Sequence, residues 1–324
     1  MELIHGVAGY KDNNNKLALA LGNFDGMHLA HQKIIERVKY KAEEKGLKSA
    51  VFILDPHPFK ILFPYKKLGL LSSLPEKAEA LENLGIDYMF VEKFTREISL
   101  YSPFKFVQNY LVDSLKVKEI VVGYDYTFGR QGKGTTHDLC KWGKQFGFNV
   151  NIVPPVTLDQ KVVSSSLIRD LISRGKVQRA ADFLGTFFKR KGEVVHGDGR
   201  GRLLGYPTAN LDIDGELLLP KNGVYLSLAS RENKKIFGLA NVGNKPTFGP
   251  SEEIFVEIHL MDFYGNVYAE ELTTEFLCRI RDEMTFKNAT YLKKQIEADI
   301  KIARELIAGK YAGLLEGNLL KERS

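Results

Sequence analysis

The sequence predicts two domains of different class: an N-terminal α/β domain on a doubly wound parallel sheet, then a small antiparallel β-barrel with a closing helix. Three observations point there. At roughly 150 residues per domain, 324 residues leave room for two. In the first half, short apolar runs alternate with amphipathic helical stretches, the pattern of βαβ units with helices on both sheet faces. Beyond about residue 184, short β-type segments punctuated by Gly, Pro and Asn replace that alternation, as in a small barrel. The expected domains are 1–184 and 185–309, with a polar tail over 310–324.

Taken in order, LALAL at 17–21 is a buried strand ending at Gly22. Residues 32–45 carry Ile34, Ile35, Val38 and Ala42 at helical spacing. AVFIL at 50–54 is a second strand, followed by Asp55-Pro56-His57-Pro58. A helix over 75–84, a strand over 88–91, a helix over 103–115 and a strand over 119–122 come next. A helix over 139–146 and a strand over 149–153 complete the pattern. Residues 166–173 and 177–184 read as short helices. The barrel segments are 193–196, 223–229, 236–242, 255–260 and 271–280. Leu292, Ile296, Ile300, Ala303 and Leu306 place the closing helix over 289–308.

Composition narrows the function classes. Hydrophobic residues at 44% and charged residues at 27% are ordinary for a globular chain. Cys140 and Cys278 are too few for a disulfide scaffold. No basic segment followed by an apolar core opens the chain, and no run of about 18 apolar residues occurs. A reducing cytoplasm without membrane attachment is therefore expected. The net charge of +6 falls in residues 1–184. That excess suits a polyanionic metabolite such as ATP. Nucleic acid is not expected, because the basic residues are scattered rather than striped with aromatics. The patterning sets no oligomeric state.

The first chemical constellation is Gly22-Asn23-Phe24-Asp25-Gly26-Met27-His28-Leu29-Ala30-His31, between a strand and a helix. Open α/β sheets bind ligands at such strand ends. Glycines let the backbone approach a phosphate, and helix N-terminal N–H groups favour anions. His28 and His31 share one face of the first turn and can donate hydrogen bonds to a triphosphate. A structural His pair, or half of a metal site with His57 as third candidate, are the other readings. Ser165, Ser166 and Arg169 stand at another helix start and can hold phosphates. Tyr126 and Phe128 offer either flat stacking surfaces or plain packing.

The G-x-F-D-G-x-H string resembles the adenylyltransferase half of the bifunctional riboflavin kinase/FMN adenylyltransferase family. Its His pair resembles the H-x-G-H motif of nucleotidylyltransferases. Asp55-Pro56-His57-Pro58, Gly123-Tyr124-Asp125-Tyr126-Thr127-Phe128-Gly129 and Val163-Ser164-Ser165-Ser166-Leu167-Ile168-Arg169 are similar to further segments of that half. The resemblance implies a nucleotidylyltransferase-type sheet. It implies ATP binding by Gly22, Asn23, Phe24, Asp25, Gly26, Ser165 and Ser166, and catalytic roles for His28, His31 and Arg169. Asp55, His57, Asp125, Tyr126 and Phe128 would face the flavin. Ala30 departs from the family's Gly, so a chain active only as a kinase is the alternative. A non-catalytic flavin-binding regulator is a more remote one.

The second constellation is the glycine-rich stretch Gly197-Asp198-Gly199-Arg200-Gly201-Arg202-Leu203-Leu204-Gly205-Tyr206-Pro207-Thr208-Ala209-Asn210. It lacks the G-K-[ST] of a Walker A loop. It reads either as a cationic wrap around ATP phosphates or as a long hairpin turn without ligand. Thr208 and Asn210, two apart on an extended strand, share a side and offer neutral oxygens to Mg²⁺. The string closely resembles the riboflavin kinase signature, and that resemblance continues through 222–225, 241–248, 255–259 and 279–286. It implies ATP binding by Gly197, Gly199, Arg200, Gly201 and Gly205, and a general base at Glu257. It implies flavin-side roles for Arg281 and Phe286, with Mg²⁺ and ATP as cofactor and co-substrate and FMN and FAD as products. Riboflavin, FMN and ATP are the expected small-molecule partners. Glu257 alternates with Val256 and Ile258, which fits a solvated acid or a site acid alike. Ala269 stands where the family string has Gly, so a changed turn is expected there.

Overall fold

In the computed structural model, residues 1–10, 16–197, 200–231, 234–245 and 253–315 are described. By contacts the chain divides into two compact units, Met1–Ser165 and Ser166–Ser324. The expected boundary lay later, at 184/185.

The first unit holds a six-stranded, all-parallel sheet. Its strands are β1 (Glu2–His5), β2 (Leu17–Leu21), β3 (Lys48–Asp55), β4 (Tyr88–Lys93), β5 (Glu119–Gly123) and β6 (Asn149–Val153), in the order β1-β4-β3-β2-β5-β6. Its helices are α1 (Leu29–Lys45), α2 (Pro58–Leu62), α3 (Leu74–Asn83), α4 (Pro103–Phe106) and α5 (Thr136–Phe146). α4 continues as a π-helix over Val107–Ser114.

Two apolar clusters show why the sheet is covered twice. Leu17, Leu19, Leu21, Phe52, Ile120 and Val122 pack with Phe106, Val107, Leu111 and Leu139 on one face. The alternating residues Ala18, Ala20, Val51, Ile53 and Val121 pack with Ile34, Ile35, Val38 and Leu81 on the other. Strand periodicity of two sends neighbours to opposite faces, so strands buried on both sides read as unbroken apolar runs. The segment ends in a two-stranded ribbon, β7 (Thr157–Leu158) and β8 (Lys161–Val162).

The second unit holds the closed barrel β10-β13-β12-β11-β14-β9. Here β9 is Phe188–Val195, β10 Ala209–Asp212, β11 Gly223–Arg231, β12 Lys234–Lys245, β13 Glu253–Leu260 and β14 Glu271–Arg281. Every neighbouring pair is antiparallel. Helices α6 (Ser165–Ser173), α7 (Val177–Leu184), α8 (Arg200–Leu203) and α9 (Ala289–Leu306) complete the chain. α9 closes the barrel from outside: Ala303, Ile300 and Leu306 pack with Leu226, Leu228, Phe237 and Leu239. Inside, Tyr225, Phe276, Ile258 and Arg190 are almost wholly buried. The polar tail begins as further helical turns over Ile307–Tyr311 and Ala312–Leu314.

Candidate active sites

Strand order locates the first site. From β2 the chain winds outward through β3 to β4, then returns to place β5 on the other side of β2. The crevice beyond the carboxyl ends of β2 and β5 is therefore the topological switch point, where open α/β sheets bind ligands. The segments 22–28 and 124–129 follow those two strands directly.

His28 is the N-cap of α1, and its Nδ1 accepts the His31 N–H at 3.3 Å. The neutral ring then carries its proton on Nε2. The two imidazoles stack with centroids 3.6 Å apart and planes 16° from parallel. His28 is buried and His31 partly so. His57 caps α2 through Phe59 N–H, and no group of three metal-ligating side chains gathers among the described residues.

The loop before His28 is held from beneath. Phe24 is fully buried in left-handed backbone and packs under Gly22. A Cβ on Gly22 would come within 3.1 Å of that ring. The buried Asp25 carboxylate accepts N–H bonds from Leu71 and Ser72, each at 3.0 Å. Its carbonyl accepts the Ser165 hydroxyl at 2.9 Å. Asp25 thus ties three segments together at the foot of the crevice. Gly26 has φ +88°, and a Cβ there would lie 2.8 Å from Leu71. Asn23 is partly buried in the same loop. Ser166 and Arg169 lie on α6, in the second unit.

The flavin-side residues divide. Asp55 ends β3 and borders a cavity of about 480 Å³ with His5, Gly6, Pro56, Val91, Glu92 and Lys93. Asp125 is exposed just past β5. Phe128 is a core residue, 5% exposed, packed on Phe106 and Trp142. Tyr126 stacks on Phe128 at 5.8 Å and is only partly buried, so of the two rings it is the one with surface to offer.

The second site lies on the outside of the barrel wall. Val256, Ile258 and Leu260 of β13 point inward, so Glu257 and His259 face out. Glu257 pairs directly with Asn210 of β10 and with Asn241 of β12. Directly paired residues share a face. Continuing the β10–β13 register one residue sets Thr208 opposite His259. Thr208, Asn210, Glu257 and His259 therefore occupy one outer patch.

Asn210 is buried, and its Oδ1 has no hydrogen-bond partner among the described residues. A Cβ on Gly197 would lie 2.1 Å from Asn210 Nδ2, and one on Gly201 would lie 2.4 Å from Tyr206 O. Only bare backbone fits against that strand. The Gly201 carbonyl accepts N–H bonds from Leu204 and Tyr206, which closes the turn, and Gly205 follows at φ +87°. Gly199 and the Arg200 side chain lie outside the described residues.

Two ties of this unit escaped the sequence reading. Arg281 Nε donates to both oxygens of the buried Asp299 on α9, each at 3.0 Å. Its charge sits 5.9 Å from the Phe286 ring centre. Arg281 thus pins the 282–288 segment to α9. His259 Nδ1 lies 3.0 Å from the Pro207 carbonyl. The Asp299 signal was hidden within an amphipathic helix, where a lone acid reads as solvated.

Comparison with known proteins agrees with this geometry. Residues 10–167 match the FAD synthetase family model, and residues 184–307 match the riboflavin kinase model. A bifunctional riboflavin kinase/FMN adenylyltransferase from Listeria monocytogenes is 38% identical, covering 90% of this chain and 92% of that protein. The protein of the same description from Escherichia coli K12 is 30% identical, with 94% and 97% covered. A solved structure described as a macrolide-efflux protein from Streptococcus pneumoniae superposes with a TM-score of 0.85 at 31% identity, covering 93% of this chain and 98% of that one. Among the described residues of the present chain, no helix is long and apolar enough to cross a membrane. With both catalytic units matched in order along one chain, this protein belongs to the bifunctional riboflavin kinase/FMN adenylyltransferase family.

Proposed function

We propose that the two activities are divided between the two units, riboflavin to FMN on the outer face of the barrel and FMN to FAD at the sheet's switch point. The observation that carries the kinase assignment is the direct pairing of Glu257 with Asn210, whose buried Oδ1 has no partner among the described residues. A buried amide oxygen left unpaired costs about 1–3 kcal/mol. Asn210 Oδ1 and Thr208 Oγ1 are hard neutral oxygens, the donors that suit Mg²⁺. They would hold the ion, which when bound neutralises charge on the ATP phosphates.

Glu257 takes the proton of the ribityl 5′-hydroxyl as that oxygen attacks the γ-phosphorus. The bond to the bridging oxygen breaks and ADP leaves. The glycine-rich turn from Gly197 to Gly205, with Arg200, wraps the phosphates through backbone N–H groups. At the switch point, an FMN phosphate oxygen attacks the α-phosphorus of a second ATP and pyrophosphate leaves. The nucleophile is already ionised, so the chain need supply only orientation and donors. His28, with Nδ1 occupied as acceptor, donates from Nε2, and His31 stacks beside it. Ser165 holds phosphate, and Asp55, Asp125 and Tyr126 border the flavin.

The test is chromatography of flavins after incubation with riboflavin, ATP and Mg²⁺. The wild-type chain yields FMN and then FAD. Glu257→Ala stops FMN formation and leaves FMN-to-FAD conversion intact. His28→Ala lowers FMN-to-FAD conversion by about 100-fold and leaves FMN formation intact. Loss of both activities in either variant would overturn the division.

A further inference from the structure

We propose that His259 is a positioning residue of the riboflavin kinase reaction: it holds the Pro207 carbonyl and thereby sets Thr208 beside Asn210. The proposal rests on the barrel reading given above.

The β10–β13 ladder runs over Ala209↔Ile258, Asn210↔Glu257 and Leu211↔Val256. It stops one residue short of Thr208. That residue, which carries one of the two proposed ligand oxygens, is preceded by a proline with no N–H to give. Backbone pairing therefore leaves the Pro207–Thr208 peptide unheld at the point where a ligand must be steady. The His259 side chain supplies the missing bond, at 3.0 Å from the Pro207 carbonyl. A carbonyl oxygen only accepts, so His259 Nδ1 carries a proton.

The ring is itself held. Tyr206 meets it edge-on, with centroids 5.4 Å apart and planes at 86°. The Tyr206 hydroxyl reaches Glu297 of α9 at 3.4 Å. The chain around Pro207 is thus fixed to β13 by one side chain and to the closing helix by another. β13 then has two tasks on one face, two positions apart: Glu257 meets the hydroxyl to be phosphorylated, and His259 holds the strand bearing the ligand oxygens. Such outer supports typically alter metal affinity or activity by about 10–100-fold when removed.

Three substitutions separate the hydrogen bond from ring packing. Asn carries its side-chain N–H the same number of bonds from the backbone as Nδ1 does, Gln carries it one bond farther, and Phe keeps the ring without the donor. Each full-length variant is titrated with ADP by calorimetry, once with Mg²⁺ and once with EDTA. The barrel's share of binding is the part that Asn210→Ala removes. FMN formation is followed against Mg²⁺ concentration in parallel, with FMN-to-FAD conversion as the folding control.

His259→Phe and His259→Gln should each lose about tenfold in the Mg²⁺-dependent gain of ADP affinity. The Mg²⁺ needed for half-maximal FMN formation should rise to match, and His259→Asn should recover most of both. Wild-type behaviour of His259→Phe in both readouts overturns the proposal. So does equal impairment of the Asn and Phe variants. Glu257→Gln in the same series isolates the underlying reading: if it still makes FMN at the wild-type rate, the barrel assignment itself fails.

Discussion

Gly197 leaves no room for a side chain beside Asn210. Its α-carbon faces the Asn210 amide so closely that a methyl group would sit 2.1 Å from the nitrogen. Gly197→Ala must therefore push Asn210 away from Thr208. FMN formation should fall by about 100-fold or more, since 1 Å of misplacement can cost that much, while FMN-to-FAD conversion, measured on supplied FMN, stays unchanged. Ala269 is the converse case. It holds φ +59°, a left-handed conformation that disfavours any side chain. Glycine at this position should stabilise the barrel by about 1 kcal/mol, read as a rise in the urea midpoint at constant slope. Asp299 is 2% exposed beneath Arg281. Asp299→Ala leaves that guanidinium without its carboxylate and should cost about 3–5 kcal/mol. Arg281 and Asp299 together tie the end of β14 to α9.

Among the elements, β5 begins with a buried charge, followed by the apolar residues Ile120, Val121 and Val122. Glu119 is buried at the amino end of the sheet, bonded to Lys45 of α1 and to Asn149 and Asn151 of β6. Burial acts to raise its carboxyl, but those hydrogen bonds outweigh it and hold the group below the ordinary carboxylate range. A lowered carboxylate contributes stability above its unfolded value, and that contribution disappears as pH falls through the folded value. Glu119→Gln should therefore destabilise the first unit at pH 7 by about 1–3 kcal/mol. The gap should close as both proteins are titrated below about pH 4, seen in urea unfolding followed at Trp142. The same network fixes the α1–β5–β6 packing opposite the end where His28 and His31 stand.

At the scale of the whole molecule, two reaction sites on two units make a mixing experiment informative. Glu257→Ala, which makes no FMN, and His28→Ala, slowed about 100-fold in converting FMN, should together make FAD from riboflavin faster than either alone, because FMN released by one is substrate for the other. The architecture was legible in the sequence because strong periodicities mark it, and glycine-bearing motifs mark the two candidate sites. β1 was not, since only Ile4 of its four residues is buried. The start of β9 was missed because Lys189, Arg190 and Lys191 read as solvated. Arg190 instead lies inside the barrel, its charge 4.1 Å from the Phe188 ring centre. The outward facing of Glu257 could not be read either, since alternation sets parity but not which face is inside. His259 carried no signal of its own, because its partner is a backbone carbonyl 52 residues away.

The closed ring of strands has a consequence for how the chain loosens. A sheet closed on itself offers no outermost strand to peel away, so its amide protons should exchange with deuterium as one slow class across β9 to β14. The open sheet has two margins, β1 and β6, each paired on one side only. Their amides should exchange first, well before those of β2 and β3. The margins of the open sheet would then breathe on a timescale at which the closed barrel stays shut.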